Sequence, residues 1–209
     1  MFEDRQQAGF LLAQKLEKFA NRKNILVLGL ARGGVVVAKV ISTYLNAPLD
    51  ILVVKKIGAP NNPELAAGAV APKDTVYWNK ELVQTLEIKP VFAEKLWRGK
   101  QKEREEQEKI LGRDKPLEIS GKTVILVDDG VATGASVIAA SIFLKKEKPK
   151  ESILAVPVIA KDTLSDIRRY FDMIVVLEIE REFHAVGQFY KYFPQVENEE
   201  VIQLLENRA

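Results

Sequence analysis

The thirteen residues from Val124 to Ser136 constrain this chain most tightly: Val-Ile-Leu-Val, then Asp128-Asp129, then Gly130-Val131-Ala132, then Thr133-Gly134-Ala135-Ser136. Four consecutive apolar residues, three of them β-branched, read as a buried strand. Two carboxylates follow where that strand must emerge from the core. The small residues after them form a loop, and Thr-Gly-Ala-Ser opens a helix. A helix N-terminus carries unpaired amides and the positive end of the helix dipole, so it attracts phosphate. Carboxylates repel phosphate but accept hydrogen bonds from hydroxyls. A ligand that suits both halves bears a phosphate at one end and a diol nearby, as a phosphorylated ribose does.

The rest of the chain repeats the strand-then-helix theme. Ala8, Leu11, Leu12, Leu16 and Phe19 recur at helical spacing after Asp4, a candidate cap. Ile25 to Leu30 is a second buried strand. Ala31-Arg32-Gly33-Gly34 turns into a helix marked by Val36, Val37, Val40, Ile41 and Tyr44. Ile51 to Val54 is a third strand, followed by Lys55-Lys56. Gly58 to Pro63 reads as loop, and Ala66 to Val70 pairs with Thr75 to Trp78 around Pro72-Lys73-Asp74. Asn79 caps a short helix over 80–87. A longer helix, from Pro90 to about Leu111, carries both charge signs and reads as a solvated face. Ile153 to Val158 and Met173 to Leu177 are further strands, with Asp162 capping a helix to Tyr170 between them. An aromatic-rich loop fills 180–194, and a last helix runs from about Glu197 to Glu206.

Buried strands alternating with helices predict an α/β fold: a central, mainly parallel sheet flanked by helices. A small hood or cap is expected from about 75–116 or from the tail, within a single domain over 1–209. Such sheets bind ligands at the carboxyl ends of their strands. The turns after Leu30, Val54 and Val127 should therefore crowd one edge.

Composition removes other chemistries. The chain has 209 residues, no cysteine and one histidine, His184. Disulfides, thiolate metal sites, a cysteine nucleophile and multi-histidine metal sites are excluded. No Gly-x-Ser-x-Gly elbow partners His184. Net charge is +2, from 31 basic and 29 acidic residues, which gives no support to nucleic-acid binding. The charged start, Met1-Phe2-Glu3-Asp4-Arg5, is unlike a signal peptide, and no apolar run is long enough to span a bilayer. The expectation is a cytoplasmic protein without membrane contact.

Two motifs mislead. Gly121-Lys122-Thr123 mimics the end of a P-loop, but Pro116 stands where a glycine is needed and a strand follows instead of a helix. The Asp128-Asp129 pair is reminiscent of receiver domains, yet it comes too late in the chain and a phosphate-cradle loop follows it.

Val124 through Ser136 resembles the phosphoribosyl-pyrophosphate signature of the type I phosphoribosyltransferases. The resemblance runs over nearly the whole chain and is closest to a group of bacterial members whose acceptor is unsettled. The shared features are the Phe2 to Arg5 start, the Leu30 to Gly34 turn, the Lys56 to Leu65 loop and the Val186 to Tyr190 tail.

That resemblance implies roles. Asp128 and Asp129 would accept hydrogen bonds from the ribose hydroxyls and offset the positive charge that builds on the sugar. Gly130, Val131, Ala132, Thr133, Gly134, Ala135 and Ser136 would hold the monophosphate. Arg32, Gly33 and Gly34 would form a pyrophosphate loop, the glycines permitting an unusual backbone. Lys55 and Lys56 would neutralise the leaving pyrophosphate. Gly58 through Gly68 would be a flexible catalytic loop, with Glu64 a candidate for binding metal or positioning the acceptor. Phe183 and His184 would touch the acceptor, although a lone histidine among aromatics packs more often than it reacts; Phe189 to Phe193 read as core or interface. The implied reaction transfers a phosphoribosyl group from phosphoribosyl pyrophosphate to a small nitrogen acceptor, a nucleobase. Mg2+ is the implied cofactor, held by substrate oxygens, with no direct protein ligand or with Asp128 and Asp129 acting through water. A homodimer is implied as well. The competing expectation is a non-catalytic sensor of phosphoribosyl pyrophosphate or a nucleotide on the same fold.

Overall fold

The structure, a computed structural model, describes residues 1–60, 62–113 and 116–206, with Pro63 and Glu64 described in backbone only. Five parallel strands form the main sheet: β1 (Ile25–Leu30), β2 (Leu49–Leu52), β6 (Thr123–Val127), β7 (Glu151–Ala160) and β8 (Met173–Glu180), in the order β2-β1-β6-β7-β8. A separate antiparallel sheet joins β3 (Lys55–Ala59), β4 (Asn62–Ala71) and β5 (Thr75–Trp78). The helices are α1 (Arg5–Lys15), α2 (Gly33–Leu45), α3 (Lys80–Thr85), α4 (Pro90–Ile110), α5 (Ala135–Lys146), α6 (Lys161–Ile167) and α7 (Asn198–Glu206).

Strand alternation sorts the core into two layers. Ile25, Val27, Ile125, Val127, Ile153 and Ala155 point to one face, where α1, α2 and α7 cover them with Leu12, Leu16, Val37, Ile41, Val201 and Leu205. Leu26, Leu28, Val124, Leu126, Leu154 and Val156 point to the other, against α5 (Val137, Ile138, Ala140, Leu144) and the small side chains Ala66, Ala69 and Ala71 of β4. With both faces covered, these strands must be apolar throughout, which is why they read as continuous apolar runs. A third, smaller cluster gathers Phe2, Ala8, Val158, Phe189 and Tyr190.

Local signals explain most boundaries. The Asp4 side chain accepts a hydrogen bond from the Gln7 amide at 2.8 Å, and that of Asn79 accepts one from Leu82 at 3.1 Å; both are helix N-caps. Two expectations fail. Gly58 to Pro63 is not plain loop: β3 and β4 pair through it, Gly58 opposite Ala66 and Ala59 opposite Asn62, with register shifts on either side of Gly58. Cross-strand pairing overrides the turn-like composition, and the irregular register accommodates it. Asp162 is not a cap either. Strand β7 runs on to Ala160, paired with Glu180, so Ala160 takes the cap position and Asp162 falls in the first turn of α6, which ends at Ile167. No helix among the described residues is long and apolar enough to cross a membrane.

Leu126 lies in the central strand and is fully buried between β4 and α5. Leu126→Ala should cost about 2–5 kcal/mol in urea unfolding, as a cavity-forming core truncation does; a loss well under 1 kcal/mol would mean that the layer is not packed as described.

Candidate functional site

The strand order reverses between β1 and β6. Both βα turns at that point open on the carboxyl edge of the sheet, where such folds form their crevice. Gly29 pairs with Val127, so the Ala31 to Gly34 turn lies directly against Asp128 and Asp129. The approach is close. A methyl at Gly34 would lie 2.6 Å from the Val127 carbonyl oxygen and 2.8 Å from Asp128 Cα, and one at Gly33 would overlap Asp129 Oδ2. These glycines therefore leave room for the acid pair; neither has a positive φ, and the unusual backbone of this turn lies at Arg32. The Ala31–Arg32 peptide bond is cis.

After the acids, Val131 is tied into β7: its amide donates to Val158 O and its carbonyl accepts from Ala160 N–H, both at 3.0 Å. Val131 thus lines the site with its backbone already committed. The Thr163 hydroxyl donates to the Ala132 carbonyl and pins the loop from α6. Gly134 caps α5 at φ +75°, a conformation that disfavours side chains, and a methyl there would also press on Thr163 and Ile167. The first intrahelical bond runs from Ile138 N–H to Gly134 O at 2.9 Å, which leaves the amides of the first turn directed outward. Lys56, Asp128 and Gly130 through Val137 line a hollow of about 30 Å³, more than a single water requires.

The acid pair is divided in its partners. Asp128 faces the hollow, and its Oδ1 accepts the Asp129 N–H at 2.9 Å. Burial, and then the neighbouring Asp129 charge, hold the Asp128 carboxyl well above the ordinary carboxylate range; the Asp129 amide and Lys56 act against them. Asp129 turns towards α1. Arg5 Nε donates to its Oδ2 at 2.8 Å, and both side chains are largely buried, at 8% and 14% exposure. The Tyr190 hydroxyl donates to the Asp129 carbonyl at 2.6 Å. Burial and the nearby Asp129 charge raise the Tyr190 phenol above its usual range, so it stays a donor.

Lys55 and Lys56 do not act side by side. They are successive residues of β3, so they point to opposite faces. Lys56 lines the hollow beside Asp128. Lys55 lines a second cleft of about 330 Å³ with Arg32, Glu103, Glu106, Gln107, Ile110 and Asn198. Burial lowers the Lys55 pKa; Glu103 opposes that shift, while Lys100 and Arg32 add to it. Arg32 is itself engaged, its NH1 lying 3.1 Å from Glu197 Oε2. The face of α4 that bears Glu103 and Glu106 therefore borders the candidate pyrophosphate cations as well as solvent.

Phe183 packs on Phe189 with ring centroids 4.8 Å apart, and His184 is exposed. Their loop borders the acids: a methyl at Gly130 would lie 2.5 Å from Val186 Cγ1. The Glu64 side chain lies outside the described residues. Among the described residues, no group of three or more histidine, aspartate or glutamate side chains is placed to hold a metal. Sequence reasoning missed Arg5, Tyr190, Thr163 and Glu197. For Arg5 and Tyr190 a signal existed, since both sit in segments recognised at opposite ends of the chain.

The sequence matches the Phosphoribosyl transferase domain over residues 3–192. The chain belongs to that family. It is 36% identical over 208 residues to a Mycobacterium tuberculosis protein that carries the provisional name of a phosphoribosyl transferase; the match covers 99% of this chain but 46% of the relative, so the chain spans about half the length of that protein. TT1426 from Thermus thermophilus shares 34% identity and a TM-score of 0.80, covering 98% of this chain and 97% of that one. A purine phosphoribosyltransferase from Pyrococcus horikoshii shares the fold at 19% identity and a TM-score of 0.51, covering 92% of each chain. The parallel sheet and its switch-point turns are those of this phosphoribosyl transferase fold.

The divided pair has a measurable consequence. With its pKa raised in the folded state, Asp128 adds stability below the ordinary carboxylate value of 3.8, and that contribution is lost as pH rises through the folded value. Without ligand, Asp128→Asn should therefore melt higher than the parent at neutral pH, and the gap should close as pH falls towards 3.8. Thermal melts across pH measure this; a gap that is absent, or independent of pH, would contradict it.

Proposed function

We propose that this phosphoribosyl transferase family member transfers the phosphoribosyl group of phosphoribosyl pyrophosphate to a nitrogen acceptor, a nucleobase, and releases pyrophosphate. The observation that carries the reading is the junction of a half-buried acid at the end of β6 with the outward amides of α5, next to the Arg32–Lys55 cleft. One end suits a monophosphate, the middle a ribose diol, and the cleft a pyrophosphate.

In this reading the bond from the anomeric carbon to the pyrophosphate oxygen breaks and a bond to the acceptor nitrogen forms. No protein nucleophile is needed. Asp128 and Asp129 offset the charge that develops on the sugar, and amides from Ala132 to Ser136 anchor the 5-phosphate. Arg32 and Lys55 take up the leaving pyrophosphate, and Lys56 works from the other face of β3, against Asp128. The acceptor would lie under the 183–190 loop, near Phe183 and His184. Residues from about 75 to 116 form the cap of a single domain in this reading, and exposed Val91 and Phe92 offer apolar surface for a homodimer.

The donor set fits Mg2+ held jointly with substrate. Asp128 lines the hollow with one carboxylate oxygen bonded to the Asp129 amide, and a carboxylate there could hold a divalent ion through water. When bound, that ion would balance charge on the pyrophosphate and ribose oxygens.

The test mixes protein, Mg2+ and phosphoribosyl pyrophosphate with a panel of purine and pyrimidine bases and measures pyrophosphate release. Turnover with one base is expected, and Asp128→Asn should lower kcat by roughly a hundredfold, the scale of a lost transition-state electrostatic contact. Tight binding without turnover on any base would favour a sensor instead. Glu197→Gln should free Arg32 and tighten pyrophosphate binding about two- to threefold, since a largely exposed ion pair contributes little; weakened binding would mean that Glu197 supports the site.

A further inference from the structure

Arg5 lies 124 residues from Asp129 in sequence, yet its guanidinium is built into the site. Nε donates to Asp129 Oδ2 at 2.8 Å, NH1 donates to the Pro194 carbonyl at 2.8 Å, and the guanidinium stacks on the Phe193 ring at 3.7 Å. Desolvating an arginine is costly unless its donors are met. Here two specific acceptors and an aromatic face meet it, so its orientation is fixed. Its Nε and NH1 are committed to Asp129 and Pro194 and are not free for an anion.

The support around Arg5 is equally specific. Asp4 caps α1, the helix that Arg5 begins. Phe2 N–H donates to Phe189 O at 2.7 Å, Lys191 N–H to Phe2 O at 2.8 Å, and Tyr192 N–H to Glu3 O at 2.9 Å. The first residues and the aromatic tail are thus paired through their backbones beside the acid pair. From this ribbon Arg5 holds the Asp129 carboxylate and Tyr190 holds its carbonyl. Gly33 comes close to the same oxygen: a methyl there would overlap Oδ2 and lie 3.3 Å from Arg5 Nε. Arg5 thus takes Oδ2 of Asp129 and Tyr190 its carbonyl, and neither takes Oδ1.

We propose that Arg5 is a positioning residue: it fixes the rotamer of Asp129 so that the remaining carboxylate oxygen meets a ribose hydroxyl, while taking no part in phosphate binding. The proposal rests on the phosphoribosyl reading of the site. It assigns a task to the Phe2 to Arg5 start and the Val186 to Tyr190 tail, which together form a brace for one acid.

The experiment measures equilibrium binding of ribose 5-phosphate and of inorganic phosphate to the whole chain, for the parent, Arg5→Met and Arg5→Lys, with circular dichroism reporting the folded fraction. In Arg5→Met, affinity for ribose 5-phosphate should fall about tenfold, the scale of a lost charge-assisted hydrogen bond, with inorganic phosphate binding unchanged because the cradle amides do not touch Arg5. Arg5→Lys keeps the charge but loses the fork and should fall about threefold; it carries the test if Arg5→Met does not fold. A parallel fall for both ligands, or unchanged binding of ribose 5-phosphate, overturns the positioning role while leaving the phosphoribosyl reading intact. A parent protein that binds neither ligand overturns that reading and this proposal together.

Discussion

The site depends on one close approach: two parallel strands, β1 and β6, run side by side and end in turns that must share the same space. That contact dictates small residues in one turn and acids in the other. Gly34 leaves room for the backbone of β6 and Asp128, and Gly33 for the carboxylate of Asp129. A side chain at Gly34 would push the turns apart, and one at Gly33 would displace the Asp129 carboxylate. The same adjacency sets a helix end with outward amides, a pair of acids and a cationic cleft along one edge of the sheet, which is what supports the proposed phosphoribosyl reading.

The acid pair also illustrates a conflict between stability and chemistry. Two neighbouring carboxyls at the end of a buried strand are poorly solvated, and the fold deals with them differently. Asp129 receives a buried arginine, a tyrosine hydroxyl and a glycine-lined wall. Asp128 receives a backbone amide and the field of Lys56, against which burial and the Asp129 charge shift its carboxyl upward. An uncompensated acid at the mouth of a hollow is what a ligand hydroxyl or a water-bound cation can satisfy, so local instability and binding capacity arise from the same cause.

Much of this was legible in the chain. The buried strands announce themselves as apolar runs because both sheet faces are covered, and Val124 to Ser136 reads directly as a strand, an acid pair and a helix start, which is how the structure has it. What stayed hidden involves long-range geometry. Composition placed a loop over Gly58 to Pro63, where cross-strand pairing makes a ribbon. Lys55 and Lys56 read as one basic pair until their place in a strand sent them to opposite faces. Gly33 and Gly34 suggested an unusual backbone, but not how closely β6 and its acids approach them. Arg5 sits in a recognisable start and Glu197 in none, but for both it is the fold that brings them to Asp129 and Arg32.

The central claim is that the start of α5 is the phosphate cradle and the acid pair beside it takes the sugar. Titrating the isotope-labelled protein with ribose 5-phosphate and following its amide resonances tests this most directly. Saturable shifts should concentrate at Thr133, Gly134, Ala135 and Ser136, with smaller ones at Asp128 and Asp129. Shifts confined to Gly33 and Gly34, or none at the start of α5, would contradict it.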